Sequence, residues 1–275
     1  MNLSEMRAYL RERDIWLTKS LGQNFLHDGN QIERILGLAE ASSGDKVLEI
    51  GPGLGALTFA LADMPLSAGL IIEKDARLFE ALTSGPLGRR EELEWVHDDA
   101  LKWLKRHPRD WLGWKLVSNL PYSVGSPILV ELSLARSGPD LMVVTLQLEV
   151  IQRLRACCGS DEYGALTALV GLHYKPERWF KAPRGCFFPE PDVDSACLAL
   201  RRRPDEALGN ESQERYRDIV KLAFGQRRKT ALKTLGAKWP MERLIAEFER
   251  LGIDQKARPE RIEIETFREL AVALG

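Results

Sequence analysis

The segment Val117-Ser118-Asn119-Leu120-Pro121-Tyr122 sets an amide, a proline and a flat ring directly after the apolar run of residues 114–117. Such a run reads as a buried strand of a parallel sheet, and polar residues at its carboxyl end emerge where an open α/β sheet binds ligands. This combination suits an exocyclic amine on a nucleobase, a poor nucleophile because its lone pair is delocalised into the ring. The Asn119 side-chain oxygen and the Leu120 carbonyl can accept the two N–H bonds of that amine, favouring the geometry in which the lone pair points at an electrophile. Pro121 stiffens the turn, and Tyr122 offers a face on which the base can stack. Asn and Pro are also ordinary turn residues, so these six by themselves fit a plain strand-to-loop turn as well.

Other segments supply what such a turn would need. Residues 46–50 read as a first strand running into Gly51-Pro52-Gly53-Leu54-Gly55 and a helix from Ala56. Glycines at this bend let backbone N–H groups approach a nucleoside, and they fit a dinucleotide pattern equally. The run Leu70-Ile71-Ile72 ends in Glu73, about twenty residues after the glycines, where a carboxylate can bond both hydroxyls of a ribose. Asp99 follows a third run, 93–96, and either accepts from an adenine amino group or caps the helix after it. Residues 18–26 form a polar loop in which Gln23 and Asn24 can bond a ligand while Phe25 and Leu26 seal it, or else a simple connector. Further on, Phe187 and Phe188 precede a proline-rich turn, and one of them can sandwich a flipped base against Tyr122 or merely pack the sheet.

Helices are expected from Ser4 to about residue 13, over 28–41, around 127–134 and over 149–157, with a fifth strand at 141–148 and a last one at 196–200. The alternation over 46–157 argues for a right-handed, mostly parallel α/β sheet. A polar linker from Arg201 to Gln213 marks a domain boundary, placing a first domain at 1–203 and a helical one at 204–275. Within the second, Arg227, Arg228 and Lys229 make a basic corner that either is solvated or contacts phosphates.

Composition narrows the class. With 275 residues, 44% hydrophobic and 29% charged, the chain can bury a full core. It has no apolar run of transmembrane length, and its charged amino-terminal stretch lacks the apolar core of a secretory signal. Cys157, Cys158, Cys186 and Cys197 show no zinc spacing and the four histidines are scattered, so a cytoplasmic protein without metal is expected. The net charge is −1, but from Arg201 onward 17 basic residues face 13 acidic ones, which permits a local phosphate-binding face.

The order of these motifs, from Lys19–Leu26 through Glu49–Gly55, Glu73, Asp99, Asn119–Tyr122 and Phe187–Ser195 to Phe224–Lys229, resembles that of the ribosomal RNA adenine N6,N6-dimethyltransferases, in their bacterial small-subunit (16S) branch. The resemblance covers nearly the whole chain. It implies a class I S-adenosylmethionine-dependent, Rossmann-like methyltransferase domain, whose seven-stranded sheet has an antiparallel last strand, followed by a small all-helical domain. It also implies that Asn24, Leu26, Gly51, Glu73, Asp99 and Asn119 surround S-adenosylmethionine, with Gln23 and Gly53 as neighbours. Asn119, Leu120, Pro121 and Tyr122 would hold the target adenine, with Phe187 at the aromatic position. The implied substrate is a pair of adjacent adenosines near the 3′ end of small-subunit ribosomal RNA in an assembling 30S particle, modified by a monomer during ribosome biogenesis. Phe188 and Ser123-Val124-Gly125 depart from the usual motif residues. Competing readings are a large-subunit ribosomal RNA methyltransferase, a DNA adenine methyltransferase, an NAD-dependent dehydrogenase and a non-catalytic RNA-binding factor.

Overall fold

Apolar runs too short for helices and rich in Val, Ile and Leu become the strands of one sheet, because only there are both of their faces covered. The computed structural model of the chain describes residues 3–13, 15, 23–204, 208–226 and 228–275. Arg227 and residues 18–22 of the polar loop lie outside the described residues.

In chain order the elements begin with α1 (Leu3–Glu12), β1 (Phe25–Leu26), α2 (Gly29–Leu38), β2 (Lys46–Ile50), α3 (Ala56–Ala62), β3 (Ala68–Glu73) and α4 (Ala76–Thr83). They continue with β4 (Leu93–His97), α5 (Ala100–Arg106), β5 (Trp114–Asn119), α6 (Gly125–Ser133), β6 (Leu141–Gln147), α7 (Leu148–Leu154) and α8 (Ala165–Gly171). Last come β7 (Tyr174–Ala182), β8 (Phe187–Phe188), β9 (Ser195–Arg202), α9 (Asn210–Phe224), α10 (Ala231–Leu235), α11 (Met241–Arg250) and α12 (Ile264–Ala273). Packing divides the chain into two compact units, Met1–Ile151 with Pro176–Arg202, and Gln152–Lys175 with Arg203–Gly275.

The first unit holds a seven-stranded sheet in the order β4-β3-β2-β5-β6-β9-β7. Strands β2 to β6 pair in parallel, and β9 runs antiparallel to β6. The chain builds outward from β2 to β4 and then returns to place β5 on the other side of β2. That reversal is a topological switch point, at whose carboxyl end a crevice opens. Pairing between β2 and β5 ends at Leu48↔Leu116. Beyond it the buried Ser118 hydroxyl donates to the Ile50 carbonyl at 2.6 Å, so the strands stay tied where they part. A separate two-stranded ribbon pairs β1 with β8, Phe25↔Phe188 and Leu26↔Phe187. α1 begins at Leu3, so Ser4 sits inside it rather than capping it.

The second unit is helical. α9 buries Tyr216, Ile219, Val220 and Ala223, spaced three, four and three apart as one face of a helix requires. The Phe224 ring lies 6.0 Å from that of Tyr163 and 5.9 Å from that of Phe267. Residues 152–175, assigned from sequence to the first domain, pack here instead. The cause is a set of long-range bonds: the Tyr216 hydroxyl donates to the Ala168 carbonyl at 2.8 Å, the Tyr163 hydroxyl to the Ile262 carbonyl at 3.0 Å, and the Gly159 amide to the Glu260 carbonyl at 2.8 Å. The break after β9 falls between Arg202 and Arg203.

Candidate active site

The crevice at the switch point is a cleft of about 1090 Å³ including its open mouth. The glycine bend after β2 forms one wall. Gly53 has φ +61°, and a Cβ there would fall 2.6 Å from the Phe25 ring; Gly51 has φ +68°, and its Cβ would fall 3.2 Å from Pro121. Only glycine fits both the left-handed backbone and these approaches. The bend is thereby pressed between the amino-terminal ribbon and the Asn119–Tyr122 turn.

Glu73, at the end of β3, is buried, and one of its carboxylate oxygens accepts the Lys74 and Asp75 amides at 2.7 Å each. Burial raises its pKa against the pull of these amides, which hold the carboxyl group in a fixed orientation on the cleft wall. Asp75 then receives Gln23 Nε2 at 3.0 Å and the Arg77 guanidinium at 2.7 Å. Arg77 holds the Asp75 carboxyl below its ordinary range, with Gln23 adding to the effect. The side chain of Gln23 is therefore anchored to the segment that follows Glu73. The sequence signal for Asp75 is the Glu-x-Asp spacing at 73–75, which does not reveal the bond to Gln23.

Asn119 closes the opposite wall. Its Nδ2 donates to the Asn24 carbonyl at 2.9 Å, which fixes the amide orientation, since a carbonyl can only accept. Its Oδ1 is buried without a partner among the described residues. A buried acceptor left open costs free energy unless a ligand donor fills it. Leu120 is 1% exposed, and its amide donates to the Thr145 carbonyl at 3.2 Å. The Pro121 carbonyl accepts the Val124 and Gly125 amides, and Tyr122 lines the cleft with its hydroxyl against that of Ser195.

Asp99 caps α5, its Oδ1 accepting the Lys102 amide at 3.1 Å, while Oδ2 takes Lys74 Nζ at 2.9 Å. Lys74 chiefly, with the Lys102 amide, lowers its pKa. The capping alternative for Asp99 is the one observed, yet the residue also lines the cleft. Glu49 went unnamed as a site residue, although an acid inside an apolar strand was visible. It is 1% exposed on the cleft wall, and burial, with repulsion from Glu73, pushes its pKa up to about 8 against the pull of Thr58.

The structure thus brings Gln23, Asn24, Phe25, Leu26, Gly51, Gly53, Glu73, Asp99, Asn119, Leu120, Pro121 and Tyr122 around one cleft. Phe187 is not brought there. Strand alternation in β8 puts its ring, 2% exposed, in the core with Leu26, whereas Phe188 is half-buried under the Arg7 guanidinium, 5.0 Å from its ring centre. Arg228 and Lys229 belong to the helical unit and are exposed. Among the described residues no group of three or more His, Cys, Asp or Glu is placed to hold a metal, and no helix is long and apolar enough to cross a membrane.

Comparison with known proteins follows the same outline. Residues 17–274 match the family model described as ribosomal RNA adenine dimethylase. The Ribosomal RNA small subunit methyltransferase A of Pelotomaculum thermopropionicum is 38% identical over 97% of this chain and 94% of its own length. A dimethyladenosine transferase structure from Plasmodium falciparum superposes with a TM-score of 0.74 at 25% identity, covering 90% of this chain and 95% of that one. The 23S rRNA methyltransferase ErmE superposes with a TM-score of 0.65 at 30% identity, covering 91% of this chain and 99% of that one.

Proposed function

Because the chain belongs to the ribosomal RNA adenine dimethylase family, we propose that it dimethylates the N6 amines of two adjacent adenosines near the 3′ end of small-subunit ribosomal RNA, using S-adenosylmethionine. The observation that carries this reading is Asn119, whose amide nitrogen donates to the Asn24 carbonyl while its oxygen is buried and open among the described residues. An acceptor so fixed is matched to an amine hydrogen.

The cleft fits the cofactor because its glycine backbone leaves room for a nucleoside and Glu73 presents an immobilised carboxylate for a ribose. Asn24, Leu26, Gly51, Glu73, Asp99 and Asn119 hold it, with Gln23 and Gly53 beside them. When bound, S-adenosylmethionine supplies a methyl group already activated by its sulfonium. The protein's task is therefore alignment rather than strong base catalysis. The target adenine leaves its stack to reach the cleft, and Tyr122 receives its face. Asn119 Oδ1 and the Leu120 carbonyl accept the N6 hydrogens, which draws N6 toward a pyramidal geometry and localises its lone pair, normal to the ring, toward the methyl. Buried Leu26 and Phe25 exclude water on the side of the amino-terminal ribbon. Phe187 backs Leu26, its partner across that ribbon, so its aromatic position supports the wall of the base pocket.

Arg227, Arg228 and Lys229 contact phosphates of the RNA, the substrate being the assembling 30S particle and the protein a cytoplasmic monomer without metal. Matches to small-subunit enzymes over nearly the full length of both chains support the small-subunit assignment. The test is incubation with labelled S-adenosylmethionine and undermethylated small ribosomal subunits, with large subunits and duplex DNA alongside. Dimethyladenosine confined to small-subunit RNA is expected. Label on large-subunit RNA or DNA, or none despite cofactor binding, refutes the assignment.

A further inference from the structure

The Tyr122 hydroxyl is not needed for stacking, because a phenylalanine ring offers a base the same face. Burial keeps it protonated, so it does not serve as a base either. It nonetheless lies 2.5 Å from the Ser195 hydroxyl. Ser195 is 0% exposed and opens β9, held in the ladder opposite Gln147, while the Asp194 carbonyl before it accepts the Leu148 amide at 2.9 Å. A hydroxyl buried at that depth costs free energy unless bonded, and alanine would fill the position equally well. Its chemistry is thus accounted for by Tyr122. The anchor is stiff, since β9 is bonded to β6 along its length and β6 to β5, the strand that ends in Asn119.

We propose that Ser195 is a positioning residue that pins the hydroxyl end of the Tyr122 ring, fixing where the stacking face stands, and thereby governs transfer of the second methyl. The inference rests on the function proposed above. In each transfer the N6 lone pair forms the new N–C bond as the S–C bond breaks, the bonding pair stays on sulfur, and an N6 proton leaves to water. Adenine N6 offers two hydrogens to Asn119 Oδ1 and the Leu120 carbonyl, and these suffice to orient it. Monomethylated N6 has one hydrogen left, so only one acceptor is engaged and the stacking plane carries more of the alignment. Loosening Tyr122 therefore slows the second transfer more than the first.

The experiment compares wild type, Ser195→Ala, Tyr122→Phe and the double variant on undermethylated small subunits under saturating S-adenosylmethionine. Monomethyl- and dimethyladenosine are followed by mass spectrometry, and cofactor binding by calorimetry. Ser195→Ala is expected to bind cofactor within about twofold of wild type, to lose about tenfold in the second transfer against about threefold in the first, and so to accumulate monomethyladenosine. Tyr122→Phe is expected to do the same, with the double variant no worse than Tyr122→Phe alone. A wild-type product ratio in Ser195→Ala, or losses that multiply in the double variant, overturns the inference. If Ser195→Ala does not fold, Tyr122→Phe decides: monomethyladenosine accumulation upholds the tether and a wild-type ratio ends it. Failure of the wild-type protein itself to make dimethyladenosine refutes the function, not the tether.

Discussion

Replacing Glu49 by Gln tests the electrostatics of the cleft wall directly. The ordinary carboxyl value is 4.5, and burial raises that of Glu49 to about 8. In the folded state it holds a proton that the unfolded chain releases above 4.5, so the folded state binds more protons between the two values. Stability then falls as pH rises, by about 1.4 kcal/mol per unit where folded Glu49 is protonated and the unfolded group is not. Over that window the loss is on the order of 4–5 kcal/mol, and below the unfolded value it vanishes. Glutamine keeps the shape and cannot ionise. The variant is therefore expected to match wild type near pH 4.5 and to exceed it in stability by several kcal/mol at pH 8, as measured by urea unfolding across that range. Glu73, whose raised pKa gives a slope of the same sign, remains in both proteins, so the difference between the profiles reports Glu49 together with its repulsion of Glu73. Parallel profiles for the two proteins would show that Glu49 is solvated or otherwise compensated, and the argument from burial would fail.

Three further outcomes are expected. Asn119→Ala removes the fixed acceptor and should lower kcat by about a hundredfold or more while changing stability by less than about 2 kcal/mol; turnover within threefold of wild type, measured on small subunits, contradicts the role given to it. Gly53→Ala combines a left-handed backbone with a Cβ 2.6 Å from the Phe25 ring, so unfolding free energy should drop by about 1–3 kcal/mol and cofactor affinity by at least tenfold, a result that calorimetry with unchanged affinity would refute. Lys74→Ala breaks an exposed ion pair and frees Asp99 Oδ2, so thermal stability should hardly move and S-adenosylmethionine should bind no more weakly; a tenfold weaker Kd would make Lys74 a ligand-binding residue instead.

What could be read from sequence depended on how local its cause was. Strands β2, β3, β5 and β6 announce themselves because a strand covered on both faces must be apolar throughout, and the residues at their carboxyl ends, Glu73 and Asn119, followed from that placement. Strand β7 did not, since at the sheet's edge its Lys175, Glu177, Arg178 and Lys181 meet solvent and mask the pattern. The burial of Phe187 depends on the facing of a two-residue strand, which sequence does not reveal. Residues 152–175 joined the helices through tyrosines that bond across long stretches of chain, and Gln23 reached Asp75 in the same way. Such pairings are consequences of the fold, invisible to periodicity.

The ribbon of β1 and β8 joins the start of the first unit to nearly its end. Such a contact closes a loop of most of the unit, so its closure entropy is large. During synthesis Phe25 and Leu26 emerge early and wait for Phe187 and Phe188, so the cleft acquires its wall only when translation has passed the proline-rich turn. A nascent chain stopped before β8 therefore carries the Asn119–Tyr122 turn without the partner strand of β1, whose Phe25 and Leu26 line the cleft.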